Sequence, residues 1–264
     1  MEEKLLSLRK FNRNMGALHF IQGIMMLVLA FTVIKNISEF TPTITQNFIQ
    51  YNPITESLEV ASKNLFTLPF GVLVASFLFI SAFAHALIAL PSVTNKKYNA
   101  DLSKGINQFR WYEYALSSSI MIVLIATLFG IYDIASLLLI FFANATMNLF
   151  GLFMEKYNAK RVEGEKVHWS PFIYGSFIGA VPWIAILIYM FGTGNYDQVP
   201  WFVWAILGTY FVAFNTFPVN MVLQYKGIGK WKDYLYGERV YIILSLVAKS
   251  VLAWLVFFGA MQPS

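Results

Sequence analysis

Charged residues are scarce in this chain of 264 residues, and cysteine is absent. Only 12% of the residues are Asp, Glu, Lys or Arg, whereas 58% are hydrophobic and 17% are aromatic. A chain with so little polar surface cannot cover a soluble globule, so the composition indicates an integral membrane protein. The lack of cysteine excludes disulfides and thiolate metal sites, and it leaves the redox compartment open.

A long basic patch with interleaved aromatic residues is also missing, although the formal net charge is +5. The basic residues stand in short segments between apolar runs, which is typical of membrane topology. Binding of nucleic acid is therefore not expected. The amphipathic segment 1–13 precedes the first apolar run without a small-residue cleavage pattern, so we expect it to be retained.

Seven apolar runs are each long enough to cross a hydrocarbon core of roughly 30 Å as a helix. Backbone groups in lipid must be satisfied within the segment, and the alternating pattern of a β-barrel is absent, so all seven are predicted to be helices. The predicted spans are 15–34, 65–90, 111–131, 134–154, 171–191, 201–224 and 240–261. The expected fold class is an all-α membrane protein, a seven-transmembrane-helix bundle that forms a single domain over residues 1–264.

Lysine and arginine divide unevenly between the two sides of the predicted bundle. Of the 19 basic residues, 16 precede span one or lie in the connections that follow spans two, four and six. The other side holds only Lys35 and Lys63, and Lys249 lies within span seven. The excess predicts a cytoplasmic N-terminus and an extracellular C-terminus in the cell membrane.

Two connections on the predicted outer side differ greatly in length. Spans three and four are joined by little more than Tyr132 and Asp133, so they must be adjacent antiparallel helices. The connection 35–64 is the longest, and its segments 43–50 and 54–61 read as strands around a turn at Tyr51-Asn52-Pro53. This pattern predicts a small β-hairpin in the first extracellular loop, with a disordered loop as the alternative.

Lys249 is the one cation inside an apolar span. Such a residue at the centre of a membrane helix costs about 2.5–3.5 kcal/mol on insertion scales, so a functional role with a partner is expected. Ser245 lies one helical turn earlier on the same face. In span three, Glu113 is the natural partner of the lysine, and Ser117 lies one turn after this carboxylate.

A second group of polar residues is predicted toward the cytoplasmic ends of the helices. His19 and Gln22 share a face of span one, His85 lies in span two, and Glu155 lies just beyond span four. Each histidine alone is better explained as an interhelical hydrogen-bond partner, but their convergence with Glu113 and Glu155 at one depth suggests a polar, hydrated cavity. Neither a metal site nor an enzyme is expected, because the His-Glu-x-x-His frame, the full Walker pattern and a nucleophile–base set are all missing.

Three explanations of Lys249 compete: a structural ion pair, a transport-site lysine, and an amine that forms a Schiff base with a carbonyl ligand. A structural pair is disfavoured because desolvation offsets its attraction. A protonated Schiff base keeps the positive charge while it adds a large apolar ligand to the interior of the bundle.

Three strings resemble the heliorhodopsins, a family of microbial retinal-binding rhodopsins with inverted membrane topology. They are 109–124 (FRWYEYALSSSIMIVL), 223–231 (LQYKGIGKW) and 237–254 (GERVYIILSLVAKSVLAW). The resemblance covers nearly the whole chain and implies all-trans retinal on Lys249, Glu113 as counterion, Ser245 beside the Schiff base, and a homodimer. It also implies a proton-accepting cavity built from His19, Gln22, His85, Asn107 and Glu155.

Two departures from ion-pumping rhodopsins bear on the expected function. Pumps usually carry an aspartate one turn before the retinal lysine, where this chain has Ser245, and span three has no second carboxylate until its far end. We therefore expect a photosensory receptor with a slow photocycle, in which retinal isomerises and the Schiff-base proton moves to the internal cavity without net pumping. It would signal to an unknown cytoplasmic partner. A light-driven ion transporter or channel is the alternative, and a retinal-free scaffold is the third possibility.

Overall fold

The computed structural model describes residues 2–32, 41–162, 164–192, 194 and 199–260. Seven described helices are long and apolar enough to cross a membrane, which confirms the predicted multi-pass bundle. A further short helix, α3, follows the second of them. The helices are α1 (Glu2–Thr32), α2 (Phe70–Ala89), α3 (Ser92–Leu102), α4 (Gln108–Leu128), α5 (Ile134–Asn158), α6 (Ser170–Gly192), α7 (Trp201–Lys226) and α8 (Tyr234–Ala260).

The first helix includes the amphipathic segment that precedes the predicted span. The sequence predicts a start at residue 15, but α1 begins at Glu2 because its early turns have a packing partner. Leu8 is only 1% exposed and belongs to a cluster with Ile88, Tyr98 and Leu235. The predicted ends of spans one and seven, at residues 34 and 261, lie outside the described residues.

The predicted β-hairpin is present, but its strands are longer and its turn lies later than expected. Strand β1 (Thr43–Asn52) pairs antiparallel with β2 (Ser57–Thr67). The side-chain oxygen of Asn52 accepts a hydrogen bond from the Ile54 amide at 2.9 Å, an Asx turn that places residues 54–56 in the turn. Residues 65–67, predicted to begin span two, belong to β2, and α2 begins at Phe70 after Pro69.

The hairpin is joined to the short connection between α4 and α5. The Thr45 amide donates to the carbonyl of Tyr132 at 2.9 Å, and the Asn47 amide donates to Oδ1 of Asp133 at 3.3 Å. Asp133 also caps α5, because its Oδ2 accepts from the Ser136 amide at 2.9 Å. We call this side of the bundle the hairpin end.

The opposite side, the basic end, holds the start of α1, helix α3, the α5–α6 connection and a 3₁₀ turn at Gly229–Lys232. Arg9 ties α1 to α2 by donating to the carbonyls of Ala89 and Leu90, at 2.8 and 3.1 Å. Lys4 forms an ion pair with Asp233 at 2.7 Å. Which end faces the cytoplasm stays a prediction from the charge count.

Helix α3 lies in a stretch for which only a connection is predicted. It begins directly after Pro91, and it buries Asn95, Tyr98 and Leu102 on one face. The Asn95 side chain donates to the carbonyl of Ile88 at 2.8 Å, which holds α3 against the end of α2. The spacing of these three residues is helical, but two of them are polar, so an apolar pattern does not reveal the helix.

Candidate functional site

An ion pair between α4 and α8 forms the centre of the site. Nζ of Lys249 lies 2.6 Å from Oε1 of Glu113, and the two side chains are only 4% and 8% exposed. Nζ also donates to Oγ of Ser245 at 3.1 Å, one turn earlier on α8. The structure thus brings together three of the residues selected from the sequence, and the pairing offsets the cost of burying each charge.

Ser81 on α2 is a further member that sequence reasoning missed. Its Oγ donates to Oε1 of Glu113 at 2.6 Å and accepts from Nζ of Lys249 at 2.6 Å. Ser81 lies four residues before His85, on a helix with few other polar residues, and that spacing is the signal that could have revealed it. Ser117, which the sequence groups with Lys249, Glu113 and Ser245, is fully buried one turn after Glu113.

A largely apolar cavity of about 470 Å³ lies against Lys249. Its wall includes Ser245 and Lys249 of α8 and side chains of helices α4 to α7. Aromatic residues and a methionine supply much of the surface, among them Trp111, Tyr114, Met121, Trp183, Phe214 and Phe217. A long apolar ligand with one reactive polar end would fit such a space.

A second, polar cavity of about 40 Å³ lies between the ion pair and the basic end. Ser81, Glu113 and Ser245 are part of its lining, as are His85 and Asn107. A cavity needs roughly 10–15 Å³ to hold one water molecule, so this volume suffices for hydration. Of the five predicted cavity residues, only His85 and Asn107 line it.

The two membrane histidines form a stacked pair between α1 and α2. His19 is fully buried, and its ring centroid lies 5.7 Å from that of His85 with an angle of 16° between the planes. Nδ1 of His85 lies 2.8 Å from Oδ1 of Asn12. Within the described chain, neither ring nitrogen of His19 has a hydrogen-bond partner. His19 therefore reaches the polar cavity only through His85.

Gln22 belongs to a different contact from the one predicted. Its Oε1 accepts a hydrogen bond from Oγ of Ser250 at 2.8 Å. Ser250 directly follows Lys249 on α8, so Gln22 ties α1 to this helix beside the ion pair. It does not line the polar cavity.

Glu155 lies in a buried cluster with Arg110 and Glu238, which we call the Arg110 cluster. The guanidinium of Arg110 forms ion pairs with Glu155 of α5 and with Glu238 of α8. Asn107, the N-cap of α4, donates from its side chain to Oε2 of Glu238 at 2.7 Å. Arg110 and Asn107 also line the polar cavity, so the cluster adjoins it.

Sequence reasoning assigned no site role to Arg110 or Glu238. The charge count placed Arg110 in the connection before span three. Glu238 precedes the predicted start of span seven. Helical spacing held the missing signal. Arg110 is three residues from Glu113, and Glu238 is seven residues from Ser245, so each shares a face with the ion-pair residues.

Among the described residues, no group of three or more His, Cys, Asp or Glu side chains could hold a metal ion. The ion pair, the histidine pair and the Arg110 cluster instead adjoin the same polar cavity. The Lys249–Glu113 pair adjoins the polar cavity, which His85 borders on one side and the Arg110 cluster borders on the other.

A family model described as Heliorhodopsin matches residues 8–261. The matched region contains every residue of the ion pair, the histidine pair and the Arg110 cluster. No curated protein matches the chain.

Proposed function

The chain belongs to the heliorhodopsin family, and from this premise we propose that it is a photosensory receptor, not an enzyme, with retinal attached to Lys249. Family membership makes it a retinal-binding, light-sensing membrane protein. The attachment residue, the all-trans isomer, the sensory output and the path of the proton are our proposal. The observation that carries it is the buried amine of Lys249 in the wall of the large apolar cavity.

The large cavity fits retinal in volume and in chemistry. Its 470 Å³ lies within the range of roughly 300–1,000 Å³ usual for small-molecule sites. Aromatic side chains such as Trp183 and Phe214 suit a conjugated apolar chain, and an amine is the group that condenses with an aldehyde. When bound, retinal supplies a light-driven double-bond isomerisation that no amino-acid side chain can perform.

Glu113 is the proposed counterion because it is the carboxylate that contacts Nζ of Lys249. The amine in this structure is an ammonium with three N–H bonds, shared among Glu113, Ser81 and Ser245. When the ligand is attached to this nitrogen, only one of the three N–H hydrogens remains. The charged acceptor Glu113 keeps it, since hydrogen bonds to an ionised partner are about twice as strong as neutral ones.

The polar cavity is the proposed destination of this proton. It borders Glu113 and Ser245 at one side and His85 at another, so a proton that leaves Nζ of Lys249 meets polar groups toward the basic end. An imidazole with a free nitrogen can take up this proton. The stacked His19–His85 pair supplies two imidazole rings. The change of charge between α1 and α2 is the event that a partner at the basic end would sense.

A one-sided distribution of titratable groups favours sensing over pumping. Glu113, Glu155, Glu238, His19 and His85 all lie level with Lys249 or nearer the basic end. The described helices carry no Asp, Glu or His beyond this level toward the hairpin end. Proton transfer across the membrane needs groups on both sides of the amine, and within the described helices none of these residue types is available on the hairpin side.

The proposal is tested with the protein in lipid vesicles that contain added all-trans retinal, by recording absorbance and external pH together during illumination. We expect a visible absorption band, a slow photocycle and no sustained pH change. Lys249→Ala should lose the band, whereas Lys63→Ala in the exposed hairpin should keep it. A band that survives Lys249→Ala would disprove the attachment site. A light-driven pH change that a protonophore abolishes would instead establish the transporter.

A further inference from the structure

The Arg110 cluster contains more negative than positive groups. One guanidinium faces the carboxyl groups of Glu155 and Glu238, and the three side chains are at most 4% exposed. Lys249, the nearest other cation that the structure describes inside the bundle, is already paired with Glu113. If both carboxyl groups were ionised, the cluster would carry an uncompensated negative charge.

The described residues place no second cation against Glu155 or Glu238, since Arg161 interacts with Tyr225 and donates to the carbonyl of Glu165 instead. The titratable side chains around it are His85 of α2, Tyr98 of α3, Tyr114 of α4, Tyr225 of α7, and Tyr234 and Tyr241 of α8. The guanidinium carbon of Arg110 lies 3.9 Å from the ring centroid of Tyr241, so an aromatic face covers it. A buried charge without a partner is so costly that the group usually takes up a proton instead.

The hydrogen bonds distinguish the two carboxyl groups. Glu155 accepts from Arg110, from the Asn107 amide at 2.8 Å, from Nε1 of Trp111 at 2.8 Å and from the hydroxyl of Tyr234 at 3.4 Å. Within the part of the chain that the structure describes, Glu238 accepts only from Arg110 and from the Asn107 side chain. Donors stabilise the ionised form, so the carboxylate with more of them stays charged.

We propose that the Arg110 cluster is a proton-binding site that holds one proton on the carboxyl group of Glu238 in the resting protein. Arg110 and Glu155 then form a neutral pair, and the protonated Glu238 adds no charge. The site is separate from the Lys249–Glu113 pair and from the histidine pair.

The position of Glu238 suits it as a proton store for the polar cavity. Glu238, Ile242, Ser245 and Lys249 follow one another at helical spacing on one face of α8. Arg110 and Asn107, which bind Glu238, line the cavity that also borders Glu113. When Glu238 releases its proton, its carboxylate stays bonded to Arg110. A neutral ring nitrogen of His85, which borders the cavity, accepts the proton. This role rests on the proposed function, whereas the resting proton does not.

Infrared spectroscopy of the full chain in lipid, kept in the dark near neutral pH, tests the resting proton directly. We expect the carbonyl stretching band of a protonated carboxyl group, which shifts when glutamate carries carbon-13. Glu238→Gln should abolish the band. Glu155→Gln should abolish it too, because one cation then faces one carboxylate. Glu165→Gln in the exposed α5–α6 connection should leave it unchanged. A missing band, or one that survives Glu238→Gln, would overturn the proposal.

Thermal unfolding of the same variants shows which carboxyl group holds the proton. Glutamine is the neutral isostere of a protonated glutamate, so Glu238→Gln changes no charge; its amide hydrogens would face the single donor from Asn107, and we expect a small loss of Tm. Glu155→Gln should lower Tm more, because it removes the anion paired with Arg110 and turns its amide hydrogens toward two donors, either Asn107 and Trp111 or Arg110 and Tyr234. The reverse order of the two Tm values would place the proton on Glu155 and refute the assignment to Glu238. Neither measurement depends on a light response, so both stand apart from the test of the photoreceptor.

Discussion

Oγ of Ser81 lies 2.6 Å from Nζ of Lys249, on a helix that contributes no carboxylate to the ion pair. The same oxygen donates to Glu113 at 2.6 Å, so Ser81 bridges the two charges. A neutral hydroxyl in this place orients the pair, but it cannot replace the anion. The contributions of Ser81 and Glu113, two of the three acceptors of Lys249, can therefore be separated by experiment.

Glu113→Gln should shift the visible band of the retinal-loaded protein to the red. The anion stabilises a positive charge held at the nitrogen more than one spread along the ligand, so its removal narrows the electronic gap. The interaction of two unit charges at 4 Å is about 4 kcal/mol in an effective dielectric of about 20, which sets the order of magnitude of the electrostatic effect. Absorption spectroscopy measures it.

Ser81→Ala is the matched control for this shift, because it removes a neutral partner of the same nitrogen. We expect a displacement of the band much smaller than that of Glu113→Gln. Equal displacements would mean that the charge of Glu113 does not set the gap. An unchanged spectrum in Glu113→Gln would remove its counterion role.

The orientation predicted from the charge count can be read by labelling, because the chain has no cysteine of its own. Ile54→Cys places a thiol in the turn of the hairpin, where Ile54 is 91% exposed. Lys160→Cys places one at the exposed basic end. On intact cells, a membrane-impermeant maleimide should label only Ile54→Cys. Labelling of Lys160→Cys alone would invert the assignment.

Asp133 should make the joint between the hairpin and α5 sensitive to acid. A hydrogen bond from the backbone amide of Ser136 holds the pKa of the Asp133 carboxyl below its usual value. The stabilisation from a lowered pKa is present above the unfolded value of about 3.9, and it is lost as the pH falls through the folded value. Thermal unfolding from neutral pH down to about pH 3 should show this loss.

Two substitutions at Asp133 separate its charge from its capping role. Asp133→Ala should cost about 1 kcal/mol at neutral pH, as is typical for loss of an N-cap, and less in acid. Asp133→Asn keeps a capping oxygen that does not titrate, so its stability should vary less with pH. If all three proteins followed the same acid profile, another group would be responsible.

Two glycines of the helix core should respond differently to an added methyl group. A Cβ at Gly151 would lie 2.3 Å from the ring of Trp111, which is fixed by its hydrogen bond to Glu155. A Cβ at Gly179 would lie 2.3 Å from the sulfur of Met147, a flexible side chain that can move aside. Gly151→Ala should cost about 1–3 kcal/mol as overpacking does, and Gly179→Ala should cost less. Equal losses of Tm would show that both sites are equally rigid.

Much of the fold follows from apolar length alone. Each long helix overlaps one of the predicted runs, because lipid demands a continuous hydrogen-bonded span, although α4 ends at Leu128 and the predicted end at residue 131 is wrong. Helix α3 escaped prediction because its buried face includes Asn95 and Tyr98. The start of α2 was also misplaced, since Leu65 and Phe66 are apolar enough for a span although they belong to β2, where Phe66 pairs with Ile44. Apolar character does not distinguish a membrane helix from an adjoining strand.

The site was less fully predictable than the fold. Lys249 and Glu113 stand out because each is a lone charge in an apolar run, and the structure places them in contact. Arg110 and Glu238 lie near the starts of their helices, where charges ordinarily face water. Only the folded chain shows that the connections at the basic end cover them.

Helices α4 and α8 are joined by two polar pairs whose cations lie on opposite helices, and this has a consequence for assembly. Toward the basic end α4 supplies the cation Arg110 and α8 its partner Glu238, whereas deeper in the bundle α8 supplies the cation Lys249 and α4 its partner Glu113. Apolar surfaces in lipid give two helices little reason to prefer one alignment along their axes over another. The two polar pairs supply it, because a slip along the axes in one direction would draw the cation Arg110 toward the cation Lys249, and a slip in either direction would separate both pairs. The two pairs therefore favour a single axial alignment of α4 and α8 when the bundle assembles.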